Sequence, residues 1–316
     1  MTLEDLWVAA YDPAVRRHME QLTGSVVDGF DRFCGRYASR TALDFFGRRT
    51  TFSELRDKAY LAAGNLRQLG VGPGVNVALL MPTCPQHVIA FYGVLLAGGT
   101  VVEHNPLFTT AELEPMFEDH GSTVAIVWDA AAPVVQALPT KLRPDNIISI
   151  NMIEDMPASK RALLRLPLAK ARASRNQLSR SATGTIPFSR LLQSAPPPPA
   201  DVRPQSGGDA LILYTSGTTG MPKGALISQR AMIARNMIAR IDFGIRAGAA
   251  FVAWAPMFHM VSTDSVYGTL MNGGTVIVMD GLDAAELVEW TTREEIGHLT
   301  LMPGMIDRVI DVVKDM

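Results

Sequence analysis

TFSELRDKAYLAAGNLRQLGVGPGVNVALLMPTCPQHVIAFYGVLLAGG, residues 51–99, is the stretch that decides the fold. Thr51 and Glu54 have the spacing of a capping box, in which each side chain can satisfy an orphan backbone N–H at a helix start. Leu55, Ala59, Ala62, Leu66 and Leu69 then recur in an i, i+3, i+4 stripe, and Gly70 stops the helix. Residues 75–81 read as a buried strand. Pro85 stands where a first-turn proline belongs and opens a helix ending near Gly98 and Gly99. Gly70-Val-Gly-Pro-Gly74 resembles part of a dinucleotide fingerprint, but it precedes a strand where it should follow one, so it is a turn.

The same alternation extends outward. Upstream, Thr41–Phe45 and Arg48–Thr51 form a hairpin-like pair turning at Gly47. Downstream, Thr109 and Glu112 make a second capping box, Gly121 ends its helix, and 123–128 is strand-like. Further strands are predicted at 211–214, 225–228, 251–254, 275–279 and 298–301. Helices are predicted at 230–240, 262–271, 284–293 and 303–313. Strands alternating with helices argue for an α/β fold with largely parallel sheets. Four consecutive prolines, Pro196 to Pro199, cannot be helical and favour an extended linker. The expected organisation is a first αβ region over 1–195, a Pro-rich linker over 196–208 and a second αβ segment over 209–316.

Within 156–195 lies a basic insertion. Lys160, Arg161, Arg165, Lys170, Arg172, Arg175 and Arg180 are interspersed with leucines and no acid. Two readings stay open: a solvated surface insertion, or a peripheral contact of 158–180 with anionic lipid or an acidic partner. Pro167 interrupts any continuous helix.

Bulk properties narrow the classes. A chain of 316 residues suggests about two domains. With 29 basic against 31 acidic residues, no global field recruits nucleic acid. Cys34 and Cys84 lack any metal-ligand spacing and read as reduced, buried thiols of a cytoplasmic protein. The N-terminus has acids where a signal peptide has bases, so export is not expected. The uncharged run between Arg67 and Glu103 is long enough to raise a membrane helix. Prolines, Gln86 and His87 interrupt it, and a buried strand followed by a buried helix explains it better.

The chemistry concentrates in Tyr214-Thr-Ser-Gly-Thr-Thr-Gly-Met-Pro-Lys-Gly224. Glycines bring backbone N–H groups close to a ligand, hydroxyls donate further hydrogen bonds, and Lys223 adds a point charge. That set suits a polyphosphate. It is not the common P-loop, because Pro222 replaces the second glycine and Gly224 the Ser/Thr that would hold magnesium. The loop is expected between two strands, with no helix dipole behind it. There is no G-x-S-x-G, H-E-x-x-H or C-x-x-C, so hydrolase and zinc chemistries have no support.

This string resembles the phosphate-binding signature of the adenylate-forming superfamily, which includes acyl-CoA synthetases. Asn105-Pro-Leu-Phe-Thr-Thr-Ala-Glu-Leu113 and Pro256-Met-Phe-His-Met260 are similar to two further family segments, and the likeness runs from about Asp28 to the end. The resemblance implies two doubly wound αβα subdomains and an ATP-dependent acid–CoA ligase, with ATP, Mg2+ and coenzyme A as cofactors. It implies that Thr215, Ser216, Gly217, Thr218, Thr219, Gly220 and Lys223 hold the β- and γ-phosphates. Lys223 and His259 are its catalytic candidates, His259 as a gate beside the acyl carboxylate; no residue is assigned to a metal. His87, His104, His120 and His298 read as structural.

The family's adenine, ribose and lid motifs, and most of its β-barrel, are not found before Met316. The chain is therefore expected to be an incomplete ligase, either cut short or one part of a split enzyme with a complementing C-terminal chain, with an exposed sheet edge and apolar patch near that end. The alternative is a non-catalytic nucleotide-binding fragment. The apolar residues 257–271 suggest a fatty acid, with an aryl acid as runner-up.

Overall fold

In the computed structural model, which describes residues 24–215, 222–242, 244–279 and 281–316, strand side chains alternate between separate cores. Successive Cβ atoms of a strand point to opposite faces, so a strand buried on both reads as one apolar run. Along β3 (Asn76–Leu80), Val77 and Leu79 enter a central cluster while Ala78 and Leu80 enter an outer one. β5 (Val124–Trp128) divides Val124 and Ile126 from Ala125 and Val127 in the same way. β10 (Phe251–Ala253) and β11 (Val276–Val278) alternate between the central cluster and a third.

Those strands belong to two sheets. The larger has the order β7 (Ile186–Pro187), β6 (Asn146–Ile150), β5, β3, β4 (Thr100–Glu103), β8 (Asp209–Thr215), β9 (Lys223–Ser228). Its pairs are parallel except β8 with β9. The smaller has the order β10, β11, β1 (Thr41–Phe45), β2 (Arg48–Thr51), parallel except for the β1–β2 hairpin. That hairpin turns through Phe46 and Gly47, both at positive φ, the signature of a primed two-residue turn.

Helices fill three layers. Between the sheets lie α1 (Val26–Arg36), α2 (Phe52–Gln68) and α3 (Pro85–Leu96), with α9 (Met260–Met271). Phe91 stacks on Tyr267 and Phe30 on Tyr92, each at 4.0 Å between ring centroids, which locks three of these helices together. α4 (Thr110–His120) and α5 (Ala132–Gln136) cover the outer face of the larger sheet. α10 (Ala284–Arg293) covers the outer face of the smaller one, and α11 (Pro303–Lys314) packs against it. The architecture is thus two sheets, each clad on both faces, sharing their middle helices.

The uncharged run after Arg67 is accounted for by β3 and by α3, every residue of which is buried. No described helix is long and apolar enough to cross a membrane. Both expected capping boxes are present, Thr51 with Glu54 and Thr109 with Glu112, and Gly121 closes α4 in the left-handed conformation. Cys34 and Cys84 are free and buried, and burial pushes both thiols well up.

Two features differ from expectation. Residues 298–301 are not a strand: next to β10 only Ile296 bridges, to Ala250, and the Trp254 indole donates to the Thr300 carbonyl (2.9 Å) where a ladder partner would be needed. The sheets also do not part at the proline run. β8 and β9 complete the larger sheet, and β1 and β2 complete the smaller, so each sheet draws strands from both sides of 196–208. The prolines lie extended over α2, where Gly64 makes room: a Cβ there would sit 2.3 Å from the Pro196 carbonyl oxygen. Arg203 then anchors the connection on α1 through Asp31 (2.6 Å) and Asp28 (3.3 Å).

Candidate functional site

Parallel strands direct their carboxyl ends to one edge, and ligands of open α/β sheets bind outside that edge where the strand order reverses. Here the reversal lies at β3, whose two neighbours β4 and β5 follow it in the chain. A crevice of about 390 Å3 opens at this place. Pro82 and Thr83 line it from the end of β3, Asn105 and Leu107 from β4, and Trp128 from β5. The smaller sheet contributes Trp254, Pro256 and Phe258 after β10 and Met279 after β11. Thr83 Oγ1 donates to the Ala255 carbonyl (3.1 Å), which ties the two sheets together at the crevice.

The phosphate-type loop leaves the same edge. β8 runs parallel to β4 and β9 returns antiparallel, with Thr215 opposite Lys223 in the register. Thr215 Oγ1 lies 3.4 Å from the Lys223 carbonyl oxygen, and both residues are exposed. The loop therefore joins two strands, as its sequence indicates. Of the other site candidates, Ser216, Gly217, Thr218, Thr219 and Gly220 lie outside the described residues.

Beside the end of β8 sits a pair of neutral histidines. His104 lies between the Phe117 and Tyr214 rings, 5.5 Å from each. Its Nε2 is 3.1 Å from His120 Nε2, and His120 Nδ1 accepts from the Ser122 backbone N–H (3.1 Å). That acceptor role puts the His120 proton on Nε2, so His104 Nε2 accepts it. Burial lowers both imidazoles, His120 to about 4 and His104 well below the ordinary histidine value, with the neighbouring His120 adding to the effect. The Tyr214 hydroxyl donates to Asp119 Oδ2 (2.6 Å), and burial followed by that carboxylate pushes the phenol up. The last residues of β8 are thus fixed from beneath. His87 is also buried, its Nε2 2.8 Å from Glu103 Oε1.

His259 occupies the N-cap of α9 with an exposed imidazole, and the neighbouring Phe258 ring lies 4.5 Å away. Phe258 faces the crevice, so the β10–α9 connection carries both members of the Phe-His pair to the edge from which the loop emerges. Farther along α9, beside α8 (Gln229–Asp242), is a second cavity of about 560 Å3. Ile238, Ala239, Ile245 and Val261 give it apolar walls, and Arg235 pairs with Asp264 at its border (2.6 Å). Asn236 Oδ1 and His298 Nδ1, both on its lining, are buried without a partner among the described residues.

Sequence reasoning singled out Thr215, Lys223 and His259, but not Thr83, Trp128 or Trp254. Their signal was positional, each standing at or just past the end of a strand. Among the described residues no group of three or more His, Cys, Asp and Glu side chains could hold a metal ion.

Fold and site together define an α/β protein in which a strand–loop–strand connection and a crevice between two sheets open at the same edge of the larger sheet. The family model described as "AMP-binding enzyme" matches residues 30–316, and the chain belongs to that family. It is 28% identical over 302 residues to a long-chain-fatty-acid–CoA ligase of Bacillus subtilis, covering 94% of this chain and 53% of that protein. Against the ligase of the same name from Yersinia pestis the figures are 27%, 92% and 53%. The chain thus spans about half the length of the curated relatives it matches. Among solved structures, the N-terminal domain of FACL13 from Mycobacterium tuberculosis superposes with a TM-score of 0.71 at 23% identity, over 90% of this chain and 65% of that one. O-succinylbenzoate coenzyme A synthetase of Bacillus subtilis, in complex with AMP, gives 0.68 at 19%, over 90% and 63%. These likenesses match the two-sheet fold.

Proposed function

We propose that this chain supplies the phosphate-binding and acyl-binding surfaces of an AMP-forming acid–CoA ligase acting on a fatty acid. The observation that supports the reading is the pairing of Thr215 with Lys223 at the strand ends, on the same carboxyl edge of the larger sheet at which the inter-sheet crevice opens. In the reaction a carboxylate oxygen attacks the α-phosphorus of ATP and pyrophosphate leaves; a thiol then displaces AMP from the acyl-adenylate. Charge grows on the departing pyrophosphate, and preorganised donors lower that barrier. Thr215, Ser216, Gly217, Thr218, Thr219, Gly220 and Lys223 are the donors in this reading. Magnesium would come with the nucleotide and is assigned no residue of this chain.

His259, at the start of α9, would donate to the acid's carboxylate, while the tail would lie along the helix toward the apolar cavity. The two curated relatives named for long-chain fatty acids support an aliphatic acid. The structural likeness to a synthetase named for O-succinylbenzoate keeps an aryl acid as the second reading.

ATP–pyrophosphate exchange with a panel of fatty and aryl acids, run with a complementing C-terminal part supplied, tests the proposal, with Lys223→Ala as control. Exchange that requires a long aliphatic acid and disappears in the variant is the expected result. Exchange driven by benzoate-type acids would move the assignment to the second reading. A folded protein that binds ATP without acid-dependent exchange would leave a nucleotide-binding module.

A further inference from the structure

The β6–β7 crossover carries a feature the ligase reading does not use. Between Asp155 and Asp201 the chain has eight Lys or Arg residues and no Asp or Glu. Much of this segment folds as a helical hairpin of α6 (Ala158–Leu164) and α7 (Ala169–Leu178), broken at Pro167. Its base is fixed. Leu178 is buried, the Trp128 indole donates to the Leu178 carbonyl (3.0 Å), and Ser179 Oγ bonds Asp129. Its tip is not covered: Leu163, Leu166 and Leu168 are 60%, 43% and 58% exposed within six residues.

The charges lack anionic partners among the described residues, although Arg175 donates to the Leu164 carbonyl (2.9 Å) and Lys160 lies over the Phe46 ring. Among the described residues none of Lys160, Arg161, Arg165, Lys170, Arg172, Arg175, Arg180 and Arg190 is in an ion pair. Four of them, Arg161, Arg165, Arg175 and Arg180, line a recess of about 500 Å3 in which Glu154 is the sole acid. Leaving three leucines exposed to water has no folding rationale, and an acid-free row of cations repels itself. Both become favourable on one kind of surface, an anionic bilayer, where leucines enter the acyl region and cations meet phosphates.

We propose that the α6–α7 hairpin docks this protein on anionic lipid membranes. Apolar side chains at the tip insert and the flanking Lys and Arg residues bind headgroup phosphates. Charge complementarity selects the bilayer over an acidic protein, because an acidic partner would leave the leucine tip in water. Gln177 and Leu178 at the hairpin base also line the inter-sheet crevice, so a docked hairpin holds that crevice close to the lipid.

Flotation with vesicles of neutral phosphatidylcholine, and of phosphatidylcholine with about one-third phosphatidylglycerol, is the test. The unmodified chain is expected to float with the anionic vesicles, to remain behind with the neutral ones, and to be released as salt rises. Each basic side chain near the surface is worth roughly fivefold in partitioning. The double variant Arg165→Glu, Lys170→Glu should therefore bind at least tenfold more weakly. Leu166→Ser, Leu168→Ser should bind less while keeping its salt dependence. All substituted positions are exposed, so circular dichroism of the variants should match the parent. Absence of binding to anionic vesicles, or equal binding by the charge-reversed variant, would overturn the proposal. Full binding by the leucine variant would overturn insertion of the tip.

Discussion

Lys223 stands at the first position of β9 with its side chain in solvent, where it contributes little to stability and is free to meet a phosphate. Removing a preorganised donor to a developing charge typically costs 10²–10³ in turnover. Lys223→Ala is expected to reduce acid-dependent pyrophosphate exchange by about that factor while leaving the urea midpoint unchanged. A midpoint shift with unchanged exchange would make Lys223 a structural residue. Thr51 is the opposite case. Its Oγ1 accepts the Glu54 N–H (3.2 Å) and its own N–H donates to Glu54 Oε2 (2.8 Å), satisfying two orphan donors at the start of α2. Thr51→Ala should cost about 1 kcal/mol in equilibrium unfolding, with no effect on nucleotide binding.

Elements meet most tightly where the smaller sheet closes on its helices. The turn from α9 into β11 passes through Gly273 and Gly274, and a Cβ on Gly274 would lie 2.0 Å from the Ala249 carbonyl oxygen. The obstacle is backbone, so no rotamer change relieves it. Gly274→Ala is expected to destabilise by at least about 1–3 kcal/mol, the usual scale of overpacking. Amide exchange should report the loss first in β10 and β11. Equal protection in the variant and the parent would show that this turn can shift freely. Element boundaries were largely legible, because capping pairs, first-turn prolines and terminal glycines are local signals. β4 and β6 were not. Segments of four and five residues, with two and three apolar side chains, show no period of their own, and only the hydrogen bonds to β3 and β5 make them strands.

For the whole molecule, the buried imidazoles set an acid limit. His104 and His120 stay neutral in the folded protein well below the ordinary histidine pKa, whereas the unfolded chain protonates them near 6.5. The unfolded state therefore binds more protons between about 6.5 and 4, and folding stability rises with pH through that window. The stabilisation is complete above 6.5 and is lost as pH falls toward 4, with His120 alone contributing on the order of 3 kcal/mol. Chemical denaturation at pH 7, 5.5 and 4.5 should show the decline, and His120→Asn should flatten it. A profile as steep in that variant as in the parent would assign the acid sensitivity to other groups.

The sequence by itself determined the α/β class, most elements, and the phosphate-type loop between two strands. Each of these depends on residues within a few positions of one another: a capping pair, an apolar run, a glycine- and hydroxyl-rich string. The tertiary structure alone decided the order of strands and hence the crevice. Residues 41–51 and 276–278 are hydrogen-bonded neighbours, and the proline run is a connection within one sheet where a division between halves was expected. It also decided that the basic segment is a hairpin anchored by Trp128 with its leucines outside. Such pairings are chosen by burial across long sequence separations, and no local pattern records which partner a strand will find.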